Sequence, residues 1–194
     1  MSDRTLRLVG AGPSRQLVSN AVLGMLILVV AELMMFSGLI SAFVIVEAAA
    51  PGGWPPPNQP RLPVTETAFN TFALLLSGVA LFYADRCFRK LRRSAAKPLA
   101  AAMFLGAFFV VFQGVEWWQL LSEGLTVTSN THGSFFYLIV GMHALHAIAG
   151  LMVLLNVWIR LAQRRLDGST LAAAQVFWYF VVGLWPVLYA LVYL

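Results

Sequence analysis

Five side chains capable of chemistry lie inside strongly apolar stretches: Glu32, Gln113, Glu116, His143 and His146. Polar and ionisable groups in such surroundings are costly to keep there, so each is a candidate for function. Gln113 and Glu116 are three residues apart, as are His143 and His146, a spacing that places each pair on one helix face. Histidines at i and i+3, with a carboxylate from another helix, can chelate zinc, copper or iron. Carboxylates and imidazoles joined by water can also relay protons. The plainest use is a buried hydrogen-bond network, pairing Glu32 with one of the two histidines, that fixes helices against one another. The ligand set for a metal is thin, because His132 is the only other histidine and lies well before His143. A proton path has to reach from face to face, whereas these groups cluster.

The elements that must hold these residues follow from composition. Of 194 residues, 60% are hydrophobic and 11% charged, with mean hydropathy +0.79. A soluble domain carries about 25% charged residues, so water cannot be the solvent for most of this chain. Five stretches are long enough to cross the hydrocarbon, at about 21–46, 69–84, 98–121, 134–159 and 171–194. Lipid offers no partner to an open backbone group, and nothing alternates like a barrel strand, so each is expected to be a helix. The expectation is an all-α protein: a polar tail over 1–20 and one five-helix transmembrane domain over 21–194. The tail is polar with scattered arginines, and the run after it is too long for a signal peptide and has no small-residue cleavage site. It therefore reads as a retained first helix. The single Cys87 excludes a disulfide within the chain.

Basic residues set an expected orientation. All but one of the 13 Lys and Arg fall in the tail (Arg4, Arg7, Arg15), the second loop (Arg86, Arg89, Lys90, Arg92, Arg93, Lys97) or the fourth (Arg160, Arg164, Arg165). Only Arg61 lies in the first loop. The N-terminus is therefore expected on the cytoplasmic side and the C-terminus outside. The net charge of +5 and the RCFRKLRR run could suggest nucleic acid. That run abuts two spans, so contact with anionic lipid through Arg86, Arg89, Arg92 and Arg93 is the better reading. The first loop, with APGGWPPPNQPRLP, is expected to be a stiff, non-helical cap anchored by Trp54. Trp117, Trp118, Tyr189 and Tyr193 sit near span ends and read as interfacial anchors. Phe108, Phe109, Phe112, Phe135, Phe136 and Tyr137 read as core or lipid-facing surface, and Gly106, Gly114, Gly141 and Gly150 as points of close helix approach. A transporter would need polar residues lining a path. The second span offers them only at its ends, and the fifth has few.

Several segments together resemble subunit III of the haem-copper oxidases, the cytochrome c oxidase family. They are AELMMFSGLISAF around Glu32, GGWPPP at 52–57, FNTFALLLSGV at 69–79 and FQGVEWWQL around Glu116. HGSFFYLIVGMHALHAIAGL at 132–151 and FWYFVVGLWPVLYALVYL at 177–194 complete the set. They touch all five spans in the family's order. The resemblance implies the shorter, five-helix form of the subunit, in a bacterial inner membrane. It implies a chain with no active site, haem, copper or other metal of its own, packed against the catalytic subunit I, with subunit II in the same complex. Haem and copper are then expected in the partner subunits, and bound phospholipids in this one. The family's subunit III stabilises subunit I, supports turnover and proton uptake, and holds lipids in a cleft between its first two helices and the rest. Glu32, Gln113, Glu116, His143 and His146 match its buried polar positions. The family usually has W-H-F-V-D on the fifth helix, where this chain has Trp178, Tyr179, Phe180, Val181 and Val182, followed by Pro186 after Trp185. That departure leaves open a divergent subunit III-like protein, associated with a nitric oxide reductase or with an unusual terminal oxidase; the buried residues separately leave a membrane metalloprotein using Glu32, His143 and His146 as an alternative.

Overall fold

A computed structural model describes residues 18–50, 54 and 62–194. The order is α1 (Asn20–Ala48), α2 (Val64–Lys90), a 3-10 turn (Arg92–Ala95), α3 (Ala96–Ser122), α4 (Thr131–Ala162) and α5 (Gly168–Val192). All five helices are long and apolar enough to cross a membrane. The shortest, α5 with 25 residues, rises about 37 Å at 1.5 Å per residue, more than the roughly 30 Å of hydrocarbon. Three helices start on side-chain caps that satisfy an otherwise open N–H. Ser19 accepts from Val22 N, Asn130 from Gly133 N at 2.8 Å, and Asp167 from Thr170 N at 2.7 Å. The Asp167 carboxyl is held below its ordinary range by the bonds from the Thr170 side chain and backbone.

The five expected helices are present, and the main difference lies in α2. The sequence suggests a helix over about 69–84, but α2 runs from Val64 to Lys90. Its last turns contain Arg86, Arg89 and Lys90, residues expected in a loop. Hydropathy registers only the part of a helix that lies in hydrocarbon. Beyond it the helix continues on other terms: Arg89 pairs with Asp85 one turn earlier at 2.8 Å, and cations suit a helix C-terminus. The expected loop shrinks to the turn at Arg92–Ala95.

α2 and α3 form the most extensive helix pair, and α5 packs against α1, α2 and α4. α5 is accordingly the most buried helix, while α1 buries only Phe36 and Phe43. The centre is organised by Trp178 of α5, which is fully buried. It sits between glycines of two other helices. A Cβ at Gly106 of α3 or Gly150 of α4 would come within 2.7 Å of its ring, so of the four expected close-approach glycines these two are required by packing. Gly114 has nothing within 4 Å, and Gly141 meets only Trp117 at 3.5 Å. The altered fifth-helix positions also have clear places. Val182 is buried and fills the gap over Gly78 of α2, 3.2 Å from where a Cβ would stand. Tyr179 is 38% exposed, beside Val29 and Leu33 of α1. Pro186 lies inside α5 without ending it, so the Val182 carbonyl lacks its helical donor.

Gly150→Ala is expected to destabilise the bundle by about 1–3 kcal/mol through overpacking. Gly38→Ala on α1, where nothing lies within 4 Å, should leave stability unchanged. Thermal unfolding of the two variants in detergent checks the contrast.

Candidate functional site

The chemistry-bearing residues are distributed along the depth of the bundle: Gln113 and Glu116 gather at α2, whereas Glu32 and His146 meet between α1 and α4. Towards the end where α2 begins, Thr67, Glu116, Gln113 and Tyr193 join α2, α3 and α5. Thr67 Oγ1 lies 3.1 Å from both Glu116 carboxyl oxygens and 2.8 Å from the Pro63 carbonyl. Gln113 Nε2 donates to Glu116 Oε2 at 2.8 Å and to the Tyr193 hydroxyl at 3.1 Å. One turn further along α2, Asn70 Nδ2 donates to the Phe109 carbonyl of α3 at 3.1 Å, and the Trp185 indole donates to Thr71 Oγ1 at 2.8 Å. Deeper still, the Trp178 indole donates to Ser77 Oγ at 3.0 Å, and Ser77 passes its own proton to the Ala102 carbonyl at 2.8 Å.

Thr67, Asn70, Thr71 and Ser77 are all buried, and they tie one helix to two neighbours. None of the four stands among the expected site residues, and a second helix polar only at its ends is not what the structure has, since Ser77 lies mid-helix. Their signal was the spacing 67, 70, 71, 77, which follows the helical period along one flank of α2.

Glu32 takes part elsewhere. His146 Nε2 lies 3.0 Å from Glu32 Oε2, joining α4 to α1, in a shallow groove also lined by Leu28, Met35, Met142 and Phe177. His146 Nδ1 is 2.7 Å from the Met142 carbonyl. A carbonyl only accepts, so Nδ1 carries its proton. One further proton is then shared between Nε2 and Oε2: the pair is either imidazolium with carboxylate or imidazole with carboxylic acid. The aromatic edge of Phe36 packs on the same imidazole, ring centroids 5.4 Å apart.

His143 does not join that pair. It is fully buried, stacked near Trp185 at 4.9 Å with Phe109 edge-on at 6.1 Å, and neither ring nitrogen has a protein partner. Positions three apart on a helix differ by about 60° in direction, enough here to send His146 to α1 and His143 towards α3 and α5. Among the described residues no group of three or more His, Cys, Asp or Glu is close enough to hold a metal. The alternative of one metal site made by Glu32, His143 and His146 is therefore not favoured. His132 is apart from both, edge-on to Trp54 at 5.0 Å.

The aromatic anchors also divide. Trp118 is 76% exposed and faces outward. Trp117 is half-buried and edge-on to Tyr137 at 5.7 Å, and Tyr193 is buried in the Gln113 cluster. Trp54 packs on Phe43 and His132 as a cap; 51–53 and 55–61 of its loop lie outside the described residues. Arg86 lies over Phe82 at 4.8 Å and Arg92 over Phe88 at 5.3 Å. The Arg93 side chain is outside the described residues, as are Arg4, Arg7, Arg15 and Arg61.

The sequence from 11 to 194 matches the family model described as cytochrome c oxidase subunit III. The chain belongs to the cytochrome c oxidase subunit III family. Its relatives include a probable cytochrome c oxidase subunit 3 of Nocardia farcinica, 33% identical over 88% of this chain and 85% of that one. The cytochrome c oxidase subunit 3 of Synechocystis is 31% identical over 88% of this chain and 74% of its own length. That of Equus caballus is 29% identical over 88% of this chain and 67% of its own. The subunit III relatives named here are oxidase subunits, so the nitric oxide reductase alternative is not favoured.

In this subunit III, Thr67 and Gln113 converge on one carboxyl group, Glu116. Thr67→Val is expected to cost about 0.6–1.7 kcal/mol, the range of interhelical hydrogen bonds in membranes. Thr67→Val and Gln113→Leu combined should cost measurably less than their sum, because both remove support from Glu116. A double-mutant cycle on detergent unfolding reads this directly.

Proposed function

We propose that this subunit III serves its haem-copper oxidase as a non-catalytic scaffold for the catalytic subunit I, with subunit II in the same complex. The supporting observation is how its polar groups are used. Apart from His143, each residue that looked able to do chemistry is engaged with another helix or a neighbour in the same network: Glu32 with His146, and Glu116 with Thr67 and Gln113. α1 meanwhile buries only two side chains and leaves Leu23, Ile27, Val30 and Met34 exposed, a broad face for a partner or lipid. Haem and copper belong to the partner subunits in this reading.

The shared proton of Glu32 and His146, set beside a groove open to the membrane, supports a further part of the reading, assistance to the partner's proton uptake. In this reading the chain lies in a bacterial inner membrane with its N-terminus cytoplasmic and its C-terminus outside, which the basic residues at the ends of α2 and α4 support.

Purification from the native membrane under mild detergent is expected to bring a haem protein along in stoichiometric amount; recovery of the chain alone sinks the scaffold reading. Glu32→Gln keeps a hydrogen-bonding group opposite His146 but cannot exchange a proton. It should assemble normally and lower turnover, whereas loss of assembly would assign Glu32 to packing alone. Orientation has its own probe, since Cys87 is the sole cysteine and lies half-buried in the last turns of α2. A membrane-impermeant maleimide should label it in inverted vesicles and not in intact cells.

A further inference from the structure

His143 is the one candidate residue that the scaffold reading leaves unused. It is fully buried at the middle of α4, and neither ring nitrogen has a partner among the described residues. A buried polar group left unpaired is costly, so it calls for a physical cause.

Two more buried atoms share that condition, Gln113 Oε1 and Asn70 Oδ1. The other end of each amide fixes which atom is free. Asn70 Nδ2 lies 3.1 Å from the Phe109 carbonyl, and a carbonyl only accepts, so the nitrogen faces it and the oxygen is left over. Gln113 Nε2 is engaged by the Glu116 carboxyl and the Tyr193 hydroxyl. Both free oxygens are acceptors, and the imidazole supplies at least one N–H donor.

The three side chains come from α2, α3 and α4 and gather on one pair of rings. Within α3 the Phe109 carbonyl is the helical acceptor for the Gln113 N–H, so the Asn70 amide that bonds this carbonyl lies against the base of Gln113. Phe109 and Trp185 pack at 4.9 Å, and the His143 ring lies 6.1 Å from the first and 4.9 Å from the second. Trp185 donates to Thr71, next to Asn70 in the chain, and its ring is 6.2 Å from that of Tyr193, whose hydroxyl bonds Gln113. Among the described residues no direct side-chain hydrogen bond joins α4 to α2, α3 or α5; its one interhelical tie of this kind is His146 to Glu32 of α1.

We propose that Asn70, Gln113 and His143 enclose an internal water. It donates to Gln113 Oε1 and Asn70 Oδ1 and accepts from the imidazole, which ties α4 into the polar network of α2, α3 and α5. Two acceptors and one donor are the complement of a water molecule, and buried waters with about three polar partners are an ordinary part of folded interiors. The proposal is independent of which subunits the chain meets, so its failure leaves the haem co-purification result untouched.

Density for the full chain as purified from its native membrane, at a resolution that shows ordered water, tests this directly. A peak is expected within about 3.2 Å of all three side chains. Stability gives an independent reading, because the sign differs. His143→Leu removes the water's donor and should raise the unfolded fraction in detergent about tenfold, whereas the loss of two idle nitrogens would lower it. Combined with Asn70→Leu, it should cost less than the product of the separate effects, since both act on one water. Combined with Ser77→Ala, which shares no partner with His143, the effects should multiply. No peak, a stabilised His143→Leu, or simple multiplication in both pairs would each overturn the proposal.

Discussion

A polar group inside hydrocarbon has no water to turn to, and this constraint decides how α2 is used. Thr67, Asn70, Thr71 and Ser77 lie on its buried flank, and each bonds to α3, to α5 or to the carbonyl one turn back. Each interhelical bond in a membrane contributes about 0.6 kcal/mol on average, too little to hold a helix alone. Their value is positional. Bonds at three depths of α2 admit one register for α3 and one for α5, because a slip of one residue would leave several buried groups unpaired at once.

The central packing depends on that register. Trp178 is fixed by Ser77 at one point of its ring and confined between Gly106 and Gly150 elsewhere. A bulky aromatic against two glycines lets three helices approach closely, and the indole N–H is satisfied only if α2 presents Ser77 there. Trp185 repeats the arrangement seven residues later with Thr71. Two indoles on one face of α5, meeting two hydroxyls on α2, make the fifth helix the core of the bundle. Val182 belongs to the same surface: it lies against Gly78, so an apolar side chain at this position is part of the packing between α5 and α2.

The spans were legible because hydropathy over a window of about 20 residues averages many side chains. The end of α2 was not, because the helix outlasts the hydrocarbon and its charges read as loop. The pairing of Glu32 with one of two histidines was legible from composition and spacing, but the choice of His146 depended on helix rotation, which a three-residue spacing leaves open by about 60°. Thr67 and Ser77 were the larger miss. A single hydroxyl barely changes hydropathy, and serine and threonine are common in transmembrane helices as back-bonded residues, as Ser37 and Ser41 are here. Only the periodic run on one flank separates a buried hydroxyl from an idle one. Trp117 and Trp118 make the same point: adjacent tryptophans near a span end both suggest the interface, yet one helix turn direction sends Trp117 to Tyr137 and Trp118 outward.

α1 shows what happens where this network is sparse. It makes its contacts with α5 and α4, buries Phe36 and Phe43, and carries one ionisable tie to the rest, Glu32 to His146. A helix with so little buried surface, in a solvent as apolar as its own side chains, gains almost nothing from hydrophobic association. Its attachment comes from van der Waals packing, chiefly against α5, together with directional contacts, the Glu32–His146 hydrogen bond and the Phe36 edge on the same imidazole. The residue that most resembles a catalytic acid is therefore also the one best placed to dock the least embedded helix. Its 3.0 Å contact with His146 is a directional tie that fixes α1 against α4 at one depth of the bundle.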